Sequence, residues 1–198
     1  MTEKTICQFF KELDRRLSAK ADVILVGAGA GSLMGHVRPS LDIDFEIRLK
    51  KSVARTVRRK LDATIRETAS VVGVAVNYSE DISHWSMVSY LDYRKTAMPY
   101  RRFGKIQVKL IAPEYWTIGK MTRFLELDIR DMIHIIRKKR LKPAPLTRLW
   151  ARALRTSQLS LELGQFKEHV VHFLKTFGKK LWGPRFDTKK YSSPFIKV

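Results

Sequence analysis

Cys7 is the single cysteine in 198 residues, so no disulfide forms within the chain and nothing points to an oxidising compartment. Long apolar runs are missing as well. The longest weakly polar stretch, Val23 to Gly35, is too short and too glycine-rich to span a bilayer. The opening residues, MTEKTICQFFKELDRR, carry acids and lack the apolar core of a secretory signal. A soluble, cytoplasmic protein with no membrane partner is expected. Acids are scarce: 19 Asp and Glu face 39 Lys and Arg, a formal net charge of +20. That excess repels itself in a compact state and points to a polyanionic partner, nucleic acid before an anionic membrane surface. The remaining composition is ordinary. With 44% hydrophobic and 29% charged residues the chain is neither disordered nor collagen-like. Its length suits one globular core with a small extension.

Hydrophobic periodicity orders the chain. Ile6, Phe9, Phe10, Leu13 and Leu17 recur at helical spacing. Val23 to Val26 is a short β-branched run that reads as a buried strand. Gly27, Gly29 and Gly31 follow, then a short helix over Ser32 to Gly35. Asp42 to Leu49 alternates acid and apolar residues up to Ile47, the period of a strand, with Asp42, Asp44 and Glu46 on one face. Ser52 is expected to cap a helix with Val53, Val57, Leu61 and Ile65 as its stripe. Val71 to Tyr78 and Lys105 to Ile111 read as strands, and Ser79 to Arg102 as loop with one short strand. Pro113 with Glu114 opens a helix, and another runs from about Asp128 to Arg140. Lys142 to Pro145 reads as a linker, followed by helices to about Lys180 and an extended tail from Gly183. The fold class expected is α/β (α+β), a mixed sheet flanked by helices, with residues 1–141 as core and 142–198 as a basic helical extension.

Charge is unevenly placed. Residues 133 to 198 hold sixteen Lys or Arg and three acids, and so thirteen of the twenty net charges. The densest cluster is Arg137, Lys138, Lys139 and Arg140, with Arg148, Arg152 and Arg155 after it. This extension reads as a surface for nucleic acid. The histidines show no metal-ligand spacing and read as structural.

The most informative segment is Val26 to Glu46, VGAGAGSLMGHVRPSLDIDFE. A strand feeding a glycine-rich turn brings backbone N–H groups close to a phosphate, although the same glycines serve a tight turn or helix packing equally well. Asp42 and Asp44 then stand roughly 7 Å apart on one strand face. That spacing can hold a hard divalent cation against a nucleoside triphosphate.

This pattern resembles the signature of the DNA polymerase β-like nucleotidyltransferase superfamily. It looks closest to the minimal branch that includes many toxin–antitoxin and abortive-infection proteins. Gly27, Gly35, Arg38, Ser40, Asp42 and Asp44 match, and Pro113-Glu114 followed by Lys120, Arg123, Asp128 and Asp131 is similar to a downstream helix pair of that family. The resemblance covers roughly residues 20 to 140. It implies Mg²⁺ on Asp42 and Asp44, and an NTP held by Gly27, Ala28, Ser32, Arg38, Ser40 and Lys120. It further implies transfer of a nucleoside monophosphate to an acceptor hydroxyl, with RNA such as tRNA docked on the basic extension. An acidic antitoxin or other acidic protein is the partner that toxin-type members imply. Two positions depart from the pattern. Ala28 replaces a second Gly or Ser, and Lys109 stands where a third carboxylate is expected, leaving Glu46, Glu80 or Asp81 as substitutes. Lys109 keeps open the alternative of a catalytically inactive, nucleic-acid-binding member.

Overall fold

The computed structural model describes residues 1–35, 40–50 and 52–196, and the chain divides into two compact units. The first comprises Met1–Ile82 with Arg94–Ile111, and the second Ser83–Tyr93 with Ala112–Val198. Helices α5 (Pro113–Arg123) and α6 (Glu126–Lys138), which the sequence groups with residues 1–141, belong by contact to the second unit.

The first unit is built on a five-stranded mixed sheet of β1 (Ala21–Leu25), β2 (Asp42–Leu49), β3 (Ala75–Ser79), β4 (Met98–Phe103) and β5 (Ile106–Leu110). The spatial order is β3-β2-β1-β5-β4. β1 is antiparallel to β2 and parallel to β5, β2 is parallel to β3, and β4 and β5 are antiparallel. Helix α1 (Glu3–Arg16) buries Ile6, Phe9, Phe10 and Leu13, the stripe that periodicity selects. Phe9 and Phe10 each meet Phe45 of β2 with ring centroids 5.7 Å apart. Val23, Leu25, Ile47 and Val108 line the same core, so one face of β1, β2 and β5 is apolar. Each such side chain contributes about 1.5–3 kcal/mol by leaving water. The opposite face carries the polar residues of β2, a consequence of the period-two alternation in DIDFEIRL.

Three local expectations for this unit are corrected. Helix α2 (Gly27–Leu33) begins at Gly27, so the glycines lie inside the helix instead of in a turn before it. Helix α3 (Arg55–Val72) starts after Ala54 with no side-chain cap, leaving Ser52 outside. It also consumes Val71 and Val72, which β-branching alone assigns to a strand. The helix stops where Gly73 adopts φ 72°, a left-handed C-cap whose N–H reaches Ser70 O. The segment 79–102, expected as loop with one short strand, holds that strand as most of β4 but also forms a 3₁₀ turn (Ile82–Trp85) and the one-turn helix α4 (Tyr93–Thr96).

The second unit is helical: α5, α6, α7 (Pro143–Thr156), α8 (Leu161–Trp182) and α9 (Thr188–Ile196). Trp150, Phe166, Phe173 and Leu174 are fully buried at its centre, and the Trp150 indole N–H donates to Thr117 Oγ1 at 2.9 Å. Two expectations are corrected here. Lys142 to Pro145 is no linker: Pro143 is the first residue of α7, where its missing N–H costs nothing. The tail is not extended. Asp187 Oδ1 accepts the Lys190 N–H at 2.9 Å and starts α9, which buries Ser192 and Phe195. Segment 83–93 joins this unit through its polar groups. Ser86 Oγ and the Met87 N–H donate to Glu162 at 3.0 and 2.8 Å, and the Ser89 N–H to Ser157 Oγ at 2.8 Å. Among the described residues no helix is long and apolar enough to cross a membrane.

Candidate functional site

The acidic pair sits at the start of β2, on the polar face. Asp42 and Asp44 are half-buried, as every second residue of a strand faces the same way. β3 lies beside them in parallel register, with Asn77 opposite Asp44. The Asn77 side-chain amide donates to Asp42 Oδ2 at 2.8 Å and to Asp44 Oδ1 at 3.0 Å, so one nitrogen bridges both carboxylates. Ser40 is buried and donates its hydroxyl to Asp42 O at 2.7 Å and Oδ1 at 3.3 Å. Its carbonyl accepts the Met1 ammonium at 2.7 Å.

Gly27 supplies the other wall. Its φ is +59°, and a Cβ there would fall 1.8 Å from Asp44 Oδ2. Only glycine lets the first turn of α2, with Ala28 next in line, lie against this carboxylate. The Val26 N–H also donates to Asp44 O at 2.9 Å, fixing that approach. Gly29, by contrast, would meet nothing closer than 3.8 Å. Ser32 is half-buried in the last turn of α2, and its carbonyl accepts the Gly35 N–H at 3.0 Å.

The donor set fits one divalent ion. The fork is solvent-accessible on the Asn77 side, and its two carboxylates already converge on one donor nitrogen. Mg²⁺ is characteristically bound through one or two carboxylates, with water and phosphate oxygens completing the shell. Among the described residues no group of three or more His, Cys, Asp or Glu side chains is arranged to hold a metal. Glu46 lies on the same face but is fully buried and committed elsewhere. It takes Arg94 Nε and a second Arg94 nitrogen at 2.7 and 2.9 Å, and the Ile82 N–H at 3.2 Å. Asp81, another substitute, pairs with the same guanidinium at 2.7 Å. Lys109 of β5 stands across Ile24 from Glu46 on the polar face.

The remaining candidates separate. Arg38 lies outside the described residues. Lys120 is in the second unit, almost fully buried, with Nζ 2.7 Å from both Asp128 Oδ1 and Asp131 Oδ2. Arg123 adds a second cation on Asp128 at 2.7 Å. The ammonium therefore holds α5 to α6, and Asp128 and Asp131 are its structural partners. Arg137, Lys138, Lys139 and Arg140 are all exposed around the C-terminal end of α6, where cations also complement the helix dipole. Arg148, Arg152 and Arg155 share one exposed face of α7, with Arg152 paired to Asp92 at 2.6 Å.

Asn77 and Arg94 escape a reading of the sequence. Asn77 lies inside an expected strand, but only the β2–β3 register reveals its carboxylate partners. Arg94 carries no signal, since its ion pair reaches across 48 residues from the one-turn helix α4. Comparison with known proteins adds no identity to this geometry: no family model matches the chain, and no curated protein and no solved structure matches it significantly.

Proposed function

We propose that the first unit transfers a nucleoside monophosphate from a nucleoside triphosphate to an acceptor hydroxyl, and that the exposed cations of α6 and α7 dock an RNA acceptor. The observation that carries this reading is the Asp42–Asp44 fork, closed by Asn77 and pressed against Gly27 at the head of α2. Asp42 and Asp44 would hold Mg²⁺, which when bound neutralises charge building on the triphosphate. Asn77 and Ser40 hold the two carboxylates in place before substrate arrives. Gly27 lets the head of α2, with the Ala28 backbone next to it, lie against the Asp44 carboxylate. In the reaction the acceptor oxygen bonds to the α-phosphorus, its proton passes to water, and the pyrophosphate leaves with the electrons of the broken bond.

Purified protein incubated with Mg²⁺, labelled NTPs and total RNA tests the reading. Label should enter RNA, and Asp42→Ala or Asp44→Ala should lower the rate by a factor on the order of 10² or more, the scale of a lost electrostatic stabiliser. No transfer by the wild type, or equal transfer by Asp42→Ala, refutes it.

A second reading has its own support. Lys109 occupies the polar face where a third carboxylate would complete a two-ion site, and Glu46 is neutralised by Arg94. These favour a non-catalytic module that binds nucleic acid, or an acidic protein partner, through the same arginines. Salt-sensitive RNA binding that is indifferent to Mg²⁺, NTP and Asp42→Ala, with no label transfer, selects it.

A further inference from the structure

Beyond the acidic pair, the charge along one face of β2 changes sign once. Asp42, Asp44 and Glu46 are followed at the same period by Arg48 and then Lys50. At this basic end lies a cavity of about 290 Å³ within the first unit. Asp22, Ile24, Glu46, Arg48, Lys109 and Arg94 line it, with Leu49 and Lys50 at its margin. Strand register explains why they meet. Ile24 of β1 is the floor, flanked by Glu46 on β2 and Lys109 on β5, and Asp22 faces Arg48 in the next row.

The lining is built for an anion. Four cations face two carboxylates, and Glu46 is already neutralised by Arg94 through two hydrogen bonds. Asp22 and Arg48 are cross-strand neighbours yet form no ion pair, and neither Arg48, Lys50 nor Lys109 is ion-paired among the described residues. With Arg94 shared by Glu46 and Asp81, the unpaired Arg48, Lys50 and Lys109 exceed Asp22 by two charges, the charge of one phosphate monoester dianion. Unpaired cations so close together repel one another, and an anion between them removes that cost. The cavity volume stands at the lower end for small-ligand sites, and the apolar Ile24 offers a surface to a sugar.

We propose that this cavity binds a phosphate monoester, its dianion held between Lys109 and Arg48, with Lys50 at the rim and Arg94 fixed in the wall by Glu46. The source of the phosphate is a free mononucleotide or the 5′-phosphorylated end of an RNA strand. The site is independent of the divalent-ion reading of Asp42 and Asp44, and it gives Lys109 a task at the position where a carboxylate was expected.

Calorimetry on the full chain, in low salt with a chelator present, tests the site without involving the acidic pair. Uridine 5′-monophosphate should bind and uridine should not. Lys109→Gln and Arg48→Gln should each raise the Kd at least about tenfold, the effect of losing a charge-assisted hydrogen bond, while Lys109→Arg keeps most of the affinity. Lys189→Gln in α9 removes the same net charge elsewhere and should leave the Kd unchanged. Thermal unfolding checks each variant; if Lys109→Gln does not fold, Arg48→Gln, whose side chain is exposed, decides. Triuridylate with and without a 5′-phosphate separates the sources. Binding that needs the 5′-phosphate admits strand ends, and binding of the monophosphate alone restricts the site to mononucleotides. Equal Kd values for wild type and both Gln variants, an equal loss from Lys189→Gln, or uridine binding as well as its monophosphate overturns the proposal.

Discussion

Two glycines of α2 separate what the site requires from what it merely contains. Gly27 has a left-handed backbone and a carboxylate where a Cβ would be, whereas Gly29 has ordinary contact distances. Gly27→Ala should therefore cost at least ~2 kcal/mol, combining left-handed strain with displacement of Asp44. Gly29→Ala should be neutral or stabilising by ~0.5–1 kcal/mol, as alanine is the better helix former. Urea unfolding of the two variants measures the difference, and equal effects would remove the argument for a close approach at Gly27. Tyr100 offers a second test at this scale. Burial pushes its phenol pKa up strongly, aided by hydrogen bonds to Glu3 at 2.6 Å and to Cys7. A raised phenol contributes stability that is fully present below the ordinary tyrosine pKa and is lost as pH rises through the folded value. Phenolate absorbance should show Tyr100 ionising at higher pH than the exposed tyrosines, and Tyr100→Phe should remove that late component. A Tyr100 that titrates with the exposed tyrosines contradicts this.

At the scale of elements, legibility follows periodicity. β2 is readable to its ends because DIDFEIRL alternates without interruption, and α1 because its apolar stripe is complete. That same alternation exposes Asp42 and Asp44 as a pair. The end of α3 is not readable, since Val71 and Val72 favour a strand locally and only Gly73 stops the helix. α9 is hidden by Pro194 and by a weak stripe, although Asp187 is an ordinary capping residue. Asn77 and Arg94 are invisible for another reason: their roles depend on strand register and on a long-range ion pair. Lys120 shows how chemistry shared with a binding role can serve packing. Lys120→Met should destabilise by about 3–5 kcal/mol, because Asp131 and Asp128 lose a buried counter-charge. Urea unfolding measures this, and a variant as stable as the wild type argues against it.

On the scale of the whole chain, the net charge of +20 is shared almost evenly, +9 in the first unit and +11 in the second, but it is arranged differently in each. The second unit exposes a basic cluster at the end of α6 and three arginines along one face of α7, while the first sets three acids in a line on one face of β2. Replacing Arg148, Arg152 and Arg155 together by Gln should weaken RNA binding across sequences. It should also flatten the dependence of log K on log salt by roughly 0.7 for each single-strand phosphate that is no longer neutralised. Binding titrations at several salt concentrations give the slope, and an unchanged slope would move the docking surface elsewhere.

The interleaving of the two units has a consequence for synthesis. β1 occupies the centre of the sheet, but its parallel neighbour β5 is made only at residues 106–110. Segment 83–93 leaves the ribosome earlier, yet Glu162 and Ser157, its partners, emerge some seventy residues later. The nascent chain must therefore carry an incomplete sheet and an unclaimed loop at the same time. The order in which residues are joined and the order in which the units close cross each other, which makes the stretch between 83 and 111 the interval in which a slow or paused ribosome would expose the most unfinished surface.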